Sequence, residues 1–228
     1  MGYIYHGLPK ILTLKILKKI KITNLVETGT FKGETAFWAA KYFKNVHTIE
    51  IHEGLFNAVI QNPNKPDNVI VYKGNSIDIL NEILSKLRGQ TMFWLDAHYS
   101  GPHTGGKENE CPIIDEIKII SSFNNPVVFI DDARLFQGTP PKMQDPTHWP
   151  RLDSIFEIIR KTMPNHIATI QDDIIMAVPT DVYDIIGEYW QETYPQRFKK
   201  EGLFSVNRLY KKYIATELKD NPYKINTL

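Results

Sequence analysis

Between residues 24 and 131 the chain alternates short apolar runs with longer segments of mixed polarity. Asn24–Glu27, Val46–Glu50, Asn68–Tyr72, Met92–Asp96 and Pro126–Asp131 are compact runs bounded by polar or glycine residues, which predicts strands. Gly33–Phe43, Leu55–Ile60, Ile77–Leu87 and Pro112–Ser121 fall between them and carry apolar residues at helical spacing. Strands alternating with helices predict βαβ units, and hence a mostly parallel sheet covered on both faces.

The pattern changes after residue 131. A Pro-rich connection, Gln137–Pro150, leads to a predicted helix over Leu152–Thr162. His166–Ile170 and Ile174–Val178 then flank the polar tripeptide Gln171-Asp172-Asp173, a hairpin signal that turns the last strand antiparallel. The expected fold is therefore α/β, a Rossmann-like doubly wound seven-stranded sheet with an antiparallel last strand. Residues 181–228 suggest one or two helices. Upstream, Lys10–Lys21 interleaves Ile11, Leu12, Leu14, Ile16, Leu17 and Ile20 with lysines, which predicts an amphipathic helix with a solvated basic face. A membrane-surface or polyanion contact is the alternative use of that face. The expected organisation is one domain over 1–228, with the basic helix in 1–22, the core in 23–178 and a helical extension in 179–228.

Composition narrows the function classes. With 228 residues, 42% hydrophobic and 23% charged, the chain can bury one sizeable core. A net charge of +1 does not suggest a nucleic-acid partner, and no apolar run is long enough to span a bilayer. The single cysteine, Cys111, excludes an internal disulfide framework and fits a reducing compartment. No signal-peptide layout is present, so the expected location is the cytoplasm. Cys111 precedes Pro112, a position suited to packing at a helix start.

Candidate chemistry lies at the strand ends, where open α/β sheets bind ligands. After the first strand comes Glu27-Thr28-Gly29-Thr30-Phe31-Lys32-Gly33, whose glycines permit a tight turn and close approach to a ligand. Glu27 would repel a pyrophosphate but suits a ligand bearing an ammonium group. The loop lacks both the third glycine of a dinucleotide fingerprint and the Lys-Ser/Thr of a phosphate loop. Glu50 ends the second strand, where a carboxylate can accept two ribose hydroxyls. Gly74-Asn75-Ser76 follows the third strand, with polar groups for an adenine edge, although Ser76 also suits a helix cap.

Three such features along one sheet edge resemble class I S-adenosylmethionine-dependent methyltransferases over roughly residues 23–178. By that resemblance Glu27 and Gly29 would meet the methionine end of S-adenosylmethionine, Glu50 the ribose, and Ser76, with Asn75 of the same motif, the adenine side; Thr28, Thr30 and Gly33 are further expected cofactor-binding residues. Asp96 ends the fourth strand, and Asp131-Asp132 the fifth. Three converging carboxylates would repel one another unless a hard cation such as Mg²⁺, Mn²⁺ or Ca²⁺ neutralised them. This pattern resembles metal-dependent O-methyltransferases of the catechol and macrolide-sugar type, with the Asp-Asp pair closer to the sugar branch. Asp96, Asp131 and Asp132 are then the expected metal ligands, with Asp96 also at the cofactor. His98 is the expected general base, and Asp96 its catalytic neighbour. The catechol branch carries a lysine slightly further along this loop; here Lys107 is the distant substitute. Arg134 is placed to steady an acid or touch substrate.

Two long connections, Tyr99–Glu110 and Gln137–Pro150, are candidate lids. Their Tyr99, His103, His148 and Trp149 stand among polar groups, which favours a sugar or glycan hydroxyl over a flat phenol. A small phenol or catechol is the alternative acceptor, and a homodimer is left open. A metal-dependent hydrolase or nuclease would explain the aspartates but gives no role to Glu27 or Glu50. An inactive binding domain with the same fold is the third reading.

Overall fold

The computed structural model describes residues 7–101, 104–142 and 144–201, with side chains described as far as 194. The strands are β1 (Asn24–Thr28), β2 (Asn45–Glu50), β3 (Val69–Lys73), β4 (Thr91–Leu95), β5 (Val127–Ile130), β6 (His166–Gln171) and β7 (Ile174–Pro179). They form one seven-stranded sheet in the order β3-β2-β1-β4-β5-β7-β6. β1 to β5 are parallel, while β7 runs antiparallel to both β5 and β6. This is the doubly wound sheet with a closing hairpin that the alternation of elements predicts. β1 and β4 are buried along their whole length, as expected of central strands covered on both faces.

The helices are α1 (Lys10–Lys19), α2 (Glu34–Ala39), α3 (Glu53–Ile60), α4 (Ser76–Lys86), α5 (Ile113–Ile120), α6 (Leu152–Thr162) and α7 (Thr180–Glu201). α4, α5 and α6 lie side by side. Leu80, Ile83, Ile117, Ile120, Ile155 and Ile159 pack there against strand residues such as Val26, Phe93, Val128 and Ile175. α2 is shorter than the expected 33–43 helix. Gly33 stands outside it in the left-handed region (φ 79°), and the chain after Ala39 continues as turns. The chain divides into two compact units, Met1–Ile185 and Ile186–Leu228. The first holds the sheet; the described part of the second is the later length of α7. Among the described residues no helix is long and apolar enough to cross a membrane.

α1 departs from the sequence expectation on one face. Leu12, Thr13 and Ile16 are buried, but Ile11 is 63% exposed and Leu14 37%. The apolar residues of this segment therefore serve two faces, only one of which packs on the domain.

Two local features shape the C-terminal edge of the sheet. Strand order reverses between β1 and β4, whose neighbours lie on opposite sides, and this opens a crevice at their C-terminal ends. The β6–β7 turn is Asp172-Asp173, both left-handed at φ 53° and 68°, the geometry of a two-residue type I′ hairpin. That turn reaches the chain after β5: Ala133 N–H donates to Asp173 O at 2.8 Å, and Arg134 N–H to Asp173 Oδ1 at 2.9 Å.

Candidate active site

Gly29 lies at the switch point, directly after β1. Its φ is +86°, and a Cβ there would stand 2.3 Å from the backbone carbonyl oxygen of Asp96. Only glycine lets the β1 loop pass this close to the end of β4. The loop is further held by Gly29 and Thr30 N–H groups, which donate to Ile49 O at 3.0 and 3.1 Å. Beside it opens a cavity of about 340 Å³, lined among others by Glu27, Gly29, Thr30, Glu50, Asn75 and Ser76. Asp96 and His98 line it as well.

Glu27 is 2% exposed, and its Oε2 accepts a hydrogen bond from the Thr48 hydroxyl at 2.6 Å. Burial pushes its pKa up to about 8 against the pull of Thr48, and the charges of Asp96 and Glu50 add to the rise. A carboxyl so raised would ionise against a cation placed beside it. Glu50 sits at the end of β2, its oxygens accepting from Phe31 N–H at 2.8 Å and His52 N–H at 2.7 Å. Burial raises its pKa, and these two amides work against the rise. The amides fix the carboxylate at the cavity wall while each oxygen keeps a further lone pair. Asn75, rather than Ser76, caps α4: its Oδ1 accepts from Ile77 N–H at 2.9 Å.

Two of the expected cofactor residues stand back from the cavity. Thr28 is fully buried, and its backbone and hydroxyl oxygens both receive Asp96 N–H, at 3.0 and 3.3 Å, which ties β1 to β4. Gly33 is buried against Phe37, and its left-handed φ turns the chain into α2.

The aspartates are arranged differently from the expected cluster of uncompensated acids. His98 lies between two of them, with Nε2 3.0 Å from Asp132 Oδ2 and Nδ1 3.5 Å from Asp96 Oδ1. Arg134 takes the other oxygen of Asp132 at 2.7 Å and pairs with Asp173 of the hairpin turn. Burial works to raise Asp132, but the hydrogen bond and charge of His98 outweigh it and hold the carboxyl below its ordinary value. Burial acts to lower His98, and Asp132 and Asp96 together reverse that and raise it. Asp131 does not line the main cavity. Its Oδ1 accepts from Asp132 N–H at 2.8 Å, its Oδ2 is buried without a partner, and burial pushes its pKa up to about 8. Among the described residues no group of three or more His, Cys, Asp or Glu is arranged to hold a metal ion. Asp132 is instead engaged by the Arg134 guanidinium and by the His98 ring.

Residues that the sequence did not single out complete the site. Glu116, on the buried face of α5, has its pKa raised to about 7 by burial, against hydrogen bonds from Ser76 and Thr28. Its place in the pattern was visible: it shares a helical face with the buried Ile113, Ile117 and Ile120. Glu116, Asp131, His98 and Cys111 line a second void of about 10 Å³. Cys111 is itself buried, which pushes its thiol up to about 12 and leaves it unsuited to nucleophilic work.

The two long connections are joined by one carboxylate. Glu110 is 3% exposed, and its Oε2 accepts from Asp145 N–H at 2.7 Å and Trp149 Nε1–H at 3.1 Å. Gln144 donates back to Tyr99 O at 3.0 Å. Tyr99 and Trp149, expected to face an acceptor, are buried instead; Trp149 packs edge-on to His98 with ring centres 5.5 Å apart. His103 lies outside the described residues, and Lys107 is exposed and does not line the cavity. Glu110→Ala would leave the Asp145 amide and the Trp149 indole without their acceptor. A loss of about 2–3 kcal/mol in urea unfolding is expected; an unchanged midpoint would show that the loops are held by other contacts.

Among solved structures, human Methyltransferase-like protein 13 in complex with S-adenosylhomocysteine superimposes with a TM-score of 0.51 at 14% identity. The match covers 80% of this chain and 89% of that one. The chain has the class I methyltransferase fold. N-methyltransferase NodS from Bradyrhizobium japonicum, also with S-adenosyl-L-homocysteine, matches at a TM-score of 0.45 and 10% identity, over 74% of this chain and 82% of its own. No protein-family model and no curated protein sequence matches the chain. Within the methyltransferase fold, the cavity beside Gly29 lies at the C-terminal edge of β1, β2 and β4, the edge where open α/β sheets bind ligands.

Proposed function

We propose that this protein is an S-adenosylmethionine-dependent O-methyltransferase whose acceptor is a hydroxyl group of a sugar or glycan. The observation that carries the reading is the pairing, in one cavity, of a proton-holding Glu27 beside Gly29 with His98 braced between Asp96 and Asp132. Glu27 would meet the ammonium of the donor, Glu50 its ribose hydroxyls, and Asn75 and Ser76 its adenine side. When bound, the donor supplies a methyl group already activated on a sulfonium. The chain must then orient the acceptor oxygen and remove its proton.

His98 is suited to that removal. Asp132 accepts from Nε2–H and fixes the tautomer, as a carboxylate orients the histidine of a catalytic triad. Nδ1 is left beside Asp96 at a distance too long for a strong hydrogen bond, and so is able to take a proton. A sugar acceptor is favoured over a phenol by the cavity lining, in which Ser100, Thr104, Glu108 and Asn109 offer hydrogen-bonding groups. Asp132 is paired internally with His98 and Arg134, so no step is assigned to a divalent cation. That internal pairing also removes the main support for a metal-dependent hydrolase.

Calorimetry with S-adenosylhomocysteine tests the donor site. Glu27 is protonated at pH 7 and ionises against the ligand ammonium, so binding should release a proton. The observed heat should then vary with the ionisation enthalpy of the buffer, and Glu27→Gln should remove that dependence. No binding by the wild-type protein would sink the reading. Methyl transfer to sugar acceptors that persists after exhaustive chelation is the expected companion result.

A further inference from the structure

The outward face of α1 and the adjoining end of α2 set exposed apolar groups among lysines. Residues 1–52 hold eight lysines, no arginine and three glutamates, and of those glutamates Glu27 and Glu50 are buried. Eight lysines against three glutamates give this stretch a formal +5 in a chain whose overall charge is +1. Apolar groups stand among the lysines. Ile11, Leu14 and Lys18 recur at i, i+3 and i+7 on one helical face, and all three are exposed. Lys10 Nζ lies 5.8 Å above the Trp38 ring, and Trp38 is in contact with Tyr42, 5.0 Å between centres. Tyr42 is 47% exposed, between the exposed Lys41 and Lys44. Solvation alone explains the lysines but not the isoleucine, leucine and tyrosine set between them.

We propose that this surface docks the protein on an anionic lipid bilayer, with Ile11 and Leu14 entering the acyl boundary, Tyr42 at the headgroup level and the lysines against lipid phosphates. Lysines flanking exposed aliphatic and aromatic groups are the pattern of helices that lie in a membrane interface. A nucleic acid would use the lysines but give the aliphatic residues no partner. The surface adjoins the cavity beside Gly29, since Glu34 and Thr35 of α2 are among the cavity residues. Docking of this face would therefore hold the cavity close to the bilayer. The inference does not depend on the donor or acceptor assigned to that cavity.

Co-sedimentation of the full chain with vesicles tests it. Vesicles of phosphatidylcholine with about one-third phosphatidylglycerol should bind at least roughly tenfold more protein than phosphatidylcholine alone, and binding should weaken with salt. The double variant Ile11→Ser, Leu14→Ser should reduce binding to the anionic vesicles by about tenfold, and Lys18→Glu with Lys41→Glu should abolish it. None of these four residues contributes to the cavity, so each variant should bind S-adenosylhomocysteine as the wild type does; retained thermal unfolding shows folding if the wild type does not bind it. Equal binding to neutral and anionic vesicles, or binding unaffected by the serine pair, would overturn the proposal. So would tighter retention of a short RNA duplex than of vesicles, or a solution dimer that the serine pair dissolves.

Discussion

Gly29→Val is expected to weaken binding of S-adenosylhomocysteine by roughly a hundredfold. The added Cβ would stand 2.3 Å from the carbonyl oxygen of Asp96, which is backbone and cannot swing aside, and valine is strained at φ +86°. Strain and clash together amount to about 3 kcal/mol, or roughly a hundredfold in affinity, if the loop moves away from β4 to relieve them. The displaced loop would also carry Thr30 and the Phe31 amide that holds Glu50. Calorimetry reads the affinity, and circular dichroism checks that the sheet persists. A folded variant binding within about threefold of the wild type would show that the close approach of β1 and β4 is not needed for the donor site.

The second large effect concerns the proton rather than the donor. His98→Ala should lower the rate of methyl transfer by about 10²- to 10⁴-fold, the usual contribution of a positioned base, with little change in S-adenosylhomocysteine affinity. The pH profile sharpens the test. His98 must be neutral to accept a proton, and Asp132 and Asp96 raise its pKa, so the rate should climb with pH through a value above that of an ordinary histidine. Asp132→Asn removes the negative charge beside Nε2 while leaving an amide oxygen to accept its hydrogen, lowers the His98 pKa, and should shift that climb to lower pH while reducing the maximal rate. An acid limb that stays in place in Asp132→Asn would assign the titration to another group.

Much of this architecture was legible because it is written in local spacing. The strands of the parallel half are short apolar runs ended by acids or glycine, and period and punctuation alone put Glu27, Glu50 and Asp96 on one edge. The closing hairpin was equally plain, since a short polar break at Gln171-Asp172-Asp173 between β-rich runs has few other readings, although Gln171 itself belongs to β6. What was not legible depends on contacts between distant parts of the chain. Arg134 could be seen near the acids, but its bond to Asp173 spans 39 residues and rests on where the hairpin tip lands. The same contact decides that Asp132 is compensated, so the expectation of three bare carboxylates missed the partners rather than the acids. Tyr99 and Trp149 looked like acceptor-facing aromatics because composition does not show direction; their burial follows from Glu110, whose role as a tie between two loops has no sequence signature. On α1, apolar residues on both faces blurred a period that assumes only one face is buried.

The hairpin contact also bears on when the protein becomes competent during its synthesis. Every residue of the proposed donor site lies between positions 27 and 98, so that half of the cavity is encoded early in the chain. The brace behind His98 runs through Asp132 and Arg134 to Asp173, and it closes only when β6 and β7 have been made and the turn has folded back onto the sheet. On a ribosome, where chains emerge from the N-terminus, the proton-accepting geometry is therefore the last part of the site to be assembled. A nascent chain that has not yet extended past the hairpin would have the proposed donor residues in hand without the contacts that brace His98.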